Sequence, residues 1–387
     1  MTRVLLRNAE ILDPEGDAPA RRNLLLEDGR IRAHLRPDDA APDDAADFAL
    51  DGLRLAPGFV DLHFHGSAVF FDACRAHDAL LADAASMTRH GVTAFLTATV
   101  SQPMTRLAET VTQLASIVSN CSWPGAEAIG LHLEGPWINP DAAGAQPRAG
   151  ITTFAGPQGA ALLDRGEGSI RMVTLAPEME GAALLQAELS RRGIAAALGH
   201  SLASAEVTAE AAARGARHVT HLFNAMGKLH HRAPGLAGAA LSDDRLTCDL
   251  ICDGAHVHPG MVAVAARAKG DGLVLISDRV DPPETPDGPR SFGSGPVRDD
   301  GTAWRLEDGR LAGSRVSLDS ALRNLLDFAG VSLLEAVAAC SLRPARVLGI
   351  EGERGSLRPG ARADFAVLDD SLRVRETWIA GRRVYSA

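Results

Sequence analysis

Apolar and polar positions alternate with a period of two at both ends of the chain. VLLRNAEIL, NLLLEDGRI and FALDGLRLA follow one another within residues 4–56, broken by the turn-forming PEGD and EDGR and by a Pro/Asp/Ala-rich loop over 36–47. The tail repeats the style in ADFAVLD, RVRETWIAG and RRVYSA. Two distant groups of short strands pair most simply in one small β-sandwich, here residues 1–56 with 359–387. Between them the period changes. Short apolar runs rich in β-branched residues recur at 58–66, 91–100, 128–136, 169–178, 194–201, 217–226, 246–259 and 272–278, and segments such as 181–192 and 203–214 have a helical pattern. Buried strands alternating with helices are the α/β signature, and eight of them predict a (β/α)8 TIM barrel over 57–358. After the eighth run comes a Pro/Gly-rich insert, 281–313, read as a lid or a partly mobile loop over the barrel mouth. Helical stretches at 317–330 and 332–349 follow it.

In such a barrel the C-terminal ends of the strands share one mouth, so what stands there carries the chemistry. The first run ends in His63-Phe64-His65, whose alternation puts both imidazoles on one side, as ligands of one ion or as satisfied core histidines. The third ends in His132-Leu133-Glu134-Gly135-Pro136, where His132 and Glu134 share a face and could also simply hydrogen-bond one another. The fifth ends at His200, the sixth at His221 and the eighth at Asp278. Burying so many ionisable groups together is unfavourable unless something pairs them, and a divalent cation pairs them all. The donors are nitrogen and oxygen without thiolate, which suits Zn²⁺ first, with Fe²⁺ or Co²⁺ as alternatives and one or two ions. Water on such an ion loses its proton near neutral pH, and Asp278 is the carboxylate placed to take that proton and pass it to a leaving group. This is metal-assisted hydrolysis of an amide-like bond.

Composition narrows the partners. A formal charge of −10 excludes the basic face of a nucleic-acid binder but leaves room for a local anion pocket. No run reaches the ~18 apolar residues of a membrane span, and the acid-bearing N-terminus is not a signal peptide. Cys74, Cys121, Cys248, Cys252 and Cys340 form no paired framework, so they read as reduced thiols of a cytoplasmic protein. Of 39 basic residues only Lys228 and Lys269 are lysine, so any lysine-dependent mechanism has two candidates.

The mouth residues and their surroundings resemble the amidohydrolase superfamily, and within it the deacetylases of N-acetylglucosamine 6-phosphate. APGFVDLHFHG, HLEGPWINP, LAPE, GHS, THLFNAM, APGLAGAAL, DGAHVHP, LAGS and PGARADFAVLD carry the likeness across nearly the whole chain. It implies removal of an acetyl group from an amino-sugar phosphate, with Glu134, His200 and His221 on the main metal and Asp278 as general base, then acid. His63 and His65 would add a second metal position bridged by Glu134. Asn224, Ala225, Arg232 and His256 would hold the sugar phosphate, with Lys228, His230 and His231 enriching the positive field. Ala145, Gln146, Leu311, Ala312 and Gly313 would complete the substrate site. Arg232 would reach into a neighbouring subunit, which implies a homodimer. Three positions depart from the family pattern. Gln146 stands where many relatives have a histidine, Arg279 follows the catalytic aspartate, and Arg315-Val316-Ser317 follow LAGS; Arg279 and the altered insert bear on sugar specificity. The alternatives are an amidohydrolase of N-acetylgalactosamine 6-phosphate or of an N-acylated amino acid, and a non-catalytic sugar-phosphate sensor. A lysine-bridged cyclic amidase is disfavoured because the fourth run ends in Ala176-Pro177-Glu178 with no lysine near.

Overall fold

The computed structural model describes residues 3–39, 42–68, 73–166, 168–282, 290–293 and 295–387. The N-terminal alternation becomes β1 (Arg3–Ile11), β2 (Ala20–Glu27), β3 (Arg30–Leu35), β4 (Ala45–Ala49) and β5 (Arg54–Pro57). The apolar runs become β6 (Phe59–Gly66), β7 (Val92–Ala98), β8 (Glu127–Glu134), β9 (Ile170–Leu175), β10 (Ala195–Leu198), β11 (His218–Val219), β12 (Thr247–Ile251) and β13 (Leu273–Ile276). These eight lie side by side in sequence order, each parallel to the next. Both β6 and β7 are buried along their whole length, as strands covered on both faces must be. The ring closes just past β13. There the Asp278 N–H donates to the His63 carbonyl (2.9 Å), and β14 (Arg279–Val280) runs parallel to β6. The helices expected over 181–192 and 203–214 form over Ala182–Arg192 and Ala205–Ala213.

Two expectations change on the structure. The sixth run, read as a strand over 217–226, is strand for only two residues, because His221, Phe223 and Ala225 adopt positive φ and turn the chain out of the sheet. The insert, read as a lid or loop, is strand in most of its described part: β15 (Ser291–Phe292), β16 (Gly295–Asp299), β17 (Ala303–Leu306) and β18 (Leu311–Ser314). They pair antiparallel, and β18 joins the barrel sheet beside β14. Val297, Trp304, Leu306 and Ala312 bury a small apolar core there with Val100, Val280 and Phe292, which holds the insert as a wall of the mouth. Residues 283–289 and 294 of the insert lie outside the described residues.

The tail supplies β19 (Phe365–Leu368), β20 (Val374–Ile379) and β21 (Arg382–Ser386). With β1–β5 they hydrogen-bond as one eight-stranded sheet in the order β21-β20-β19-β5-β1-β2-β3, with β4 also on β1. Its own core includes Leu6, Leu24, Leu26, Leu55, Phe365 and Trp378. Side chains of this size contribute about 1.5–3 kcal/mol each when fully buried. A charged knot ties this sheet to the base of the barrel. Glu127, opening β8, takes Arg354 and Arg362, and both arginines also reach the buried Asp364.

Candidate metal centre

At the mouth, His63, His65 and Glu134 come from β6 and β8, while His200, His221 and Asp278 each stand two residues beyond the last residue of β10, β11 and β13. All six are at most 9 % exposed. The last three share a backbone feature, with φ of +48°, +34° and +46°. A left-handed backbone is unfavourable for any residue with a Cβ, and its repetition at three strand ends marks a site whose geometry is imposed by its surroundings.

Glu134 organises the cluster. Its Oε1 lies 2.9 Å from His200 Nε2 and 3.0 Å from His221 Nε2. Its Oε2 lies 3.2 Å from His65 Nε2 and 3.6 Å from His63 Nε2. The carboxylate therefore serves two donor groups, His63–His65–Glu134 and Glu134–His200–His221. Asp278 Oδ1 stands 3.6 Å from His63 and 3.5 Å from His65.

The protonation pattern shows that a cation fits. His65 Nδ1 faces the Ala98 carbonyl (3.2 Å) and His200 Nδ1 the Ala142 carbonyl (2.8 Å). A carbonyl only accepts, so both Nδ1 atoms carry a hydrogen, and both rings turn Nε2 on the Glu134 carboxylate. That contact repels unless positive charge lies between. In the protein alone protons supply it: burial pulls the His63 ring down, but Glu134 and Asp278 outweigh burial and hold it up at about 10. His221 is likewise raised, against its burial, by the hydrogen bond and charge of Glu134. Burial opposes ionisation of Glu134, yet His63 and His200 hold it well below the usual carboxylate range. A divalent ion satisfies the same donors without added protons, and nitrogen–oxygen sets of this kind suit Zn²⁺, Fe²⁺ or Co²⁺.

His132 does not join them. Its Nδ1 faces the Leu62 carbonyl (3.0 Å) and its Nε2 the Thr174 hydroxyl (2.7 Å), and burial pushes it well below its usual value, so it is a neutral packing residue. No lysine bridges the site either. Lys269 Nζ donates to the Ala240 and Asp243 carbonyls, and Glu178, ending the fourth run, is taken up by Asn139, Ser201 and Leu202. Glu134 is the carboxylate that both donor groups share.

The Amidohydrolase family profile matches residues 54–384. The chain belongs to that family. A curated relative, the N-acetylgalactosamine-6-phosphate deacetylase of Escherichia coli O157:H7, is 35% identical over 367 residues, 93% of this chain and 97% of that one. The human N-acetylglucosamine-6-phosphate deacetylase is 36% identical over 395 residues, covering 99% and 91%. Among solved structures, a mutant N-acetyl-D-glucosamine-6-phosphate deacetylase of Mycobacterium smegmatis in complex with N-acetyl-D-glucosamine-6-phosphate superposes with a TM-score of 0.89 at 30% identity, over 100% of both chains.

In this amidohydrolase the centre opens into a cleft of about 700 Å³. Of the residues read as substrate-binding, Ala145, Gln146, Asn224, Ala225, His256, Leu311 and Gly313 line it. Gln146 is oriented: its Oε1 accepts the Ser101 N–H (2.7 Å), which turns its amide NH₂ onto Glu134 Oε2. His256 is held by Asp253, Nδ1 to Oδ2 at 2.6 Å. Ala312 is not in the lining; it alternates inward to the insert's apolar core and is fully buried. Arg232 is also outside it, on an exposed turn with its guanidinium 2.8 Å from His231 Nε2. Arg279 is outside the cleft lining; it pairs with Asp281 (2.8 Å) beside a separate hollow. Three lining residues were not anticipated: Gly144, Phe292 and Arg310. Phe292 packs edge-on to His65 with centroids 5.4 Å apart, and Arg310 donates to the Gly144 carbonyl across the mouth. Arg310 directly precedes LAGS, so extending that motif by one residue would have found it. Among the described residues no helix is long and apolar enough to cross a membrane.

Proposed function

We propose that this amidohydrolase removes the N-acetyl group of N-acetylglucosamine 6-phosphate, giving glucosamine 6-phosphate and acetate. The observation that carries the reading is Glu134, whose two oxygens face two histidine pairs beside Asp278 at the floor of the cleft. Glu134, His200 and His221 would hold the main ion, Zn²⁺ in the first instance, and His63 and His65 with Glu134 would offer a second position. When bound, a divalent ion there polarises the acyl oxygen and makes water acidic enough to attack at neutral pH. Asp278 takes the proton of the attacking water at its carboxylate and returns it to the departing nitrogen. Gln146 directs its amide N–H toward the acyl oxygen as charge develops on it. His256, Asn224 and the Ala225 backbone take the phosphate end, while Ala145 and the Leu311 and Gly313 backbone flank the sugar. Arg232 belongs to the phosphate site of a partner subunit, where a guanidinium grips phosphate bidentately, so the working unit is a cytoplasmic homodimer.

The test is the protein reconstituted with Zn²⁺, Fe²⁺ or Co²⁺ and assayed on N-acetylglucosamine 6-phosphate, its galacto epimer and both unphosphorylated sugars. The reading predicts the highest kcat/KM on the gluco 6-phosphate. A preference for the galacto epimer would transfer the assignment to that sugar, and binding without acetate release would replace it with a sensor.

A further inference from the structure

We propose that Asp249, locked in place by His218, is a positioning residue that aims His221 at the metal centre. The inference rests on the reading of His221 as a metal ligand. Asp249 lies on β12 and His218 on the neighbouring β11, and both are essentially without solvent exposure. One carboxylate oxygen of Asp249 accepts the backbone N–H of His221, and the other lies 3.0 Å from His218 Nε2. His218 Nδ1 in turn sits 2.7 Å from the Thr247 hydroxyl.

Barrel packing does not ask for a carboxylate at this position. The β11–β12 ladder pairs His218 with Thr247 and Val219 with Cys248, and the Asp249 backbone carbonyl already takes the Leu222 N–H (2.9 Å). An aliphatic side chain would fill the space without bringing a charge out of water, which is tolerated only with partners. What the carboxylate adds is an acceptor where the ladder has ended. β11 stops at Val219, the chain turns at positive φ, and the His221 N–H has lost its strand partner.

The ring of His221 depends on its backbone anchor more than those of His65 and His200 do. His65 and His200 are each oriented by an Nδ1 hydrogen bond to a carbonyl. His221 Nδ1 is buried without a hydrogen-bond partner among the described residues. The direction of its Nε2 is therefore set through the backbone, which the Asp249 contact holds at φ +34°. Removing the acceptor leaves a buried N–H unsatisfied and lets the backbone relax toward the extended region, swinging the imidazole off Glu134.

The experiment titrates metal-free protein with Co²⁺ against a competing chelator, reading affinity from the cobalt absorption of the folded fraction, with the melting temperature of the metal-free form beside it. The variants are Asp249→Ala, Asp249→Asn, His218→Asn and His221→Ala. Asp249→Ala binds the ion about 10–100-fold more weakly, the range for partners of metal ligands, whereas Asp249→Asn keeps an acceptor and stays within about threefold of the parent. His218→Asn falls between them and carries the test if Asp249→Ala does not fold. A lower melting temperature with unchanged affinity in Asp249→Ala or His218→Asn overturns the proposal, as does an Asp249→Asn variant as weak as Asp249→Ala. His221→Ala with parental affinity would overturn the ligand reading itself, a different failure.

Discussion

Gly313→Ala tests how tightly the insert is fitted to the catalytic strand. Gly313 has φ +83°, and a Cβ there would lie 2.1 Å from Val280 Cγ2 and 3.4 Å from the Asp278 carbonyl oxygen. Two penalties add. The left-handed backbone costs about 1–2 kcal/mol for a residue with a Cβ. The overlap with fully buried Val280 costs about 1–3 kcal/mol more, since a close-packed core yields only by shifting. The total is about 2–5 kcal/mol. Gly309, in the same hairpin at φ +85° with nothing within 4 Å of its Cβ position, is the control that carries the first penalty alone. Urea unfolding should place Gly309→Ala about 1–2 kcal/mol below the parent with parental kcat/KM. Gly313→Ala should lie lower still and lose at least about tenfold in kcat/KM, a change of about 1.4 kcal/mol at the transition state. Its β18 is bonded to Asp278 through the Ser314 N–H (2.8 Å), so the clash reaches the catalytic backbone. Equal stability and activity in the two variants would refute the close fit.

Arg354→Leu should lower stability by about 3 kcal/mol in the same assay, because it strips a partner from Glu127 and buried Asp364 at the junction of barrel and terminal sheet. Asp319 gives a pH-dependent prediction. Burial pushes its carboxyl up, but the hydrogen bonds from His90 and Ser317 and the nearby Arg323 outweigh burial and hold it at about 2. A depressed carboxyl stabilises the fold above its unfolded value, near 4, and that stability is lost as pH falls through about 2. Asp319→Asn should therefore be about 2 kcal/mol less stable at pH 7, with the gap unchanged at pH 5 and shrinking below pH 4. Arg232→Ala should raise KM far more for the 6-phosphate than for the unphosphorylated sugar; equal effects would remove Arg232 from the phosphate site.

The features readable in the sequence were those written in side-chain pattern. Eight apolar runs gave the barrel because parallel strands are buried on both faces, and the polar residues ending the first, third, fifth, sixth and eighth runs marked the candidate centre. Features that depend on backbone conformation were hidden. Nothing in RHVTHLFNAM says that the strand stops at Val219, since positive φ at His221, Phe223 and Ala225 is imposed by tertiary contacts such as the Asp249 carboxylate. The insert looked like a loop because 11 of its 33 residues are Pro or Gly, while the alternation of Val297, Trp304, Leu306 and Ala312 is spread over short strands.

The most direct test of the central claim is acetate release from N-acetylglucosamine 6-phosphate by reconstituted protein and its Asp278→Asn variant, with metal content measured on the same samples. The account predicts acetate and free amine in equal amounts from the parent, and a rate lower by about 10²–10⁴-fold in the variant at unchanged metal content. Parental turnover by Asp278→Asn, or metal-loaded parent that releases no acetate, would contradict it.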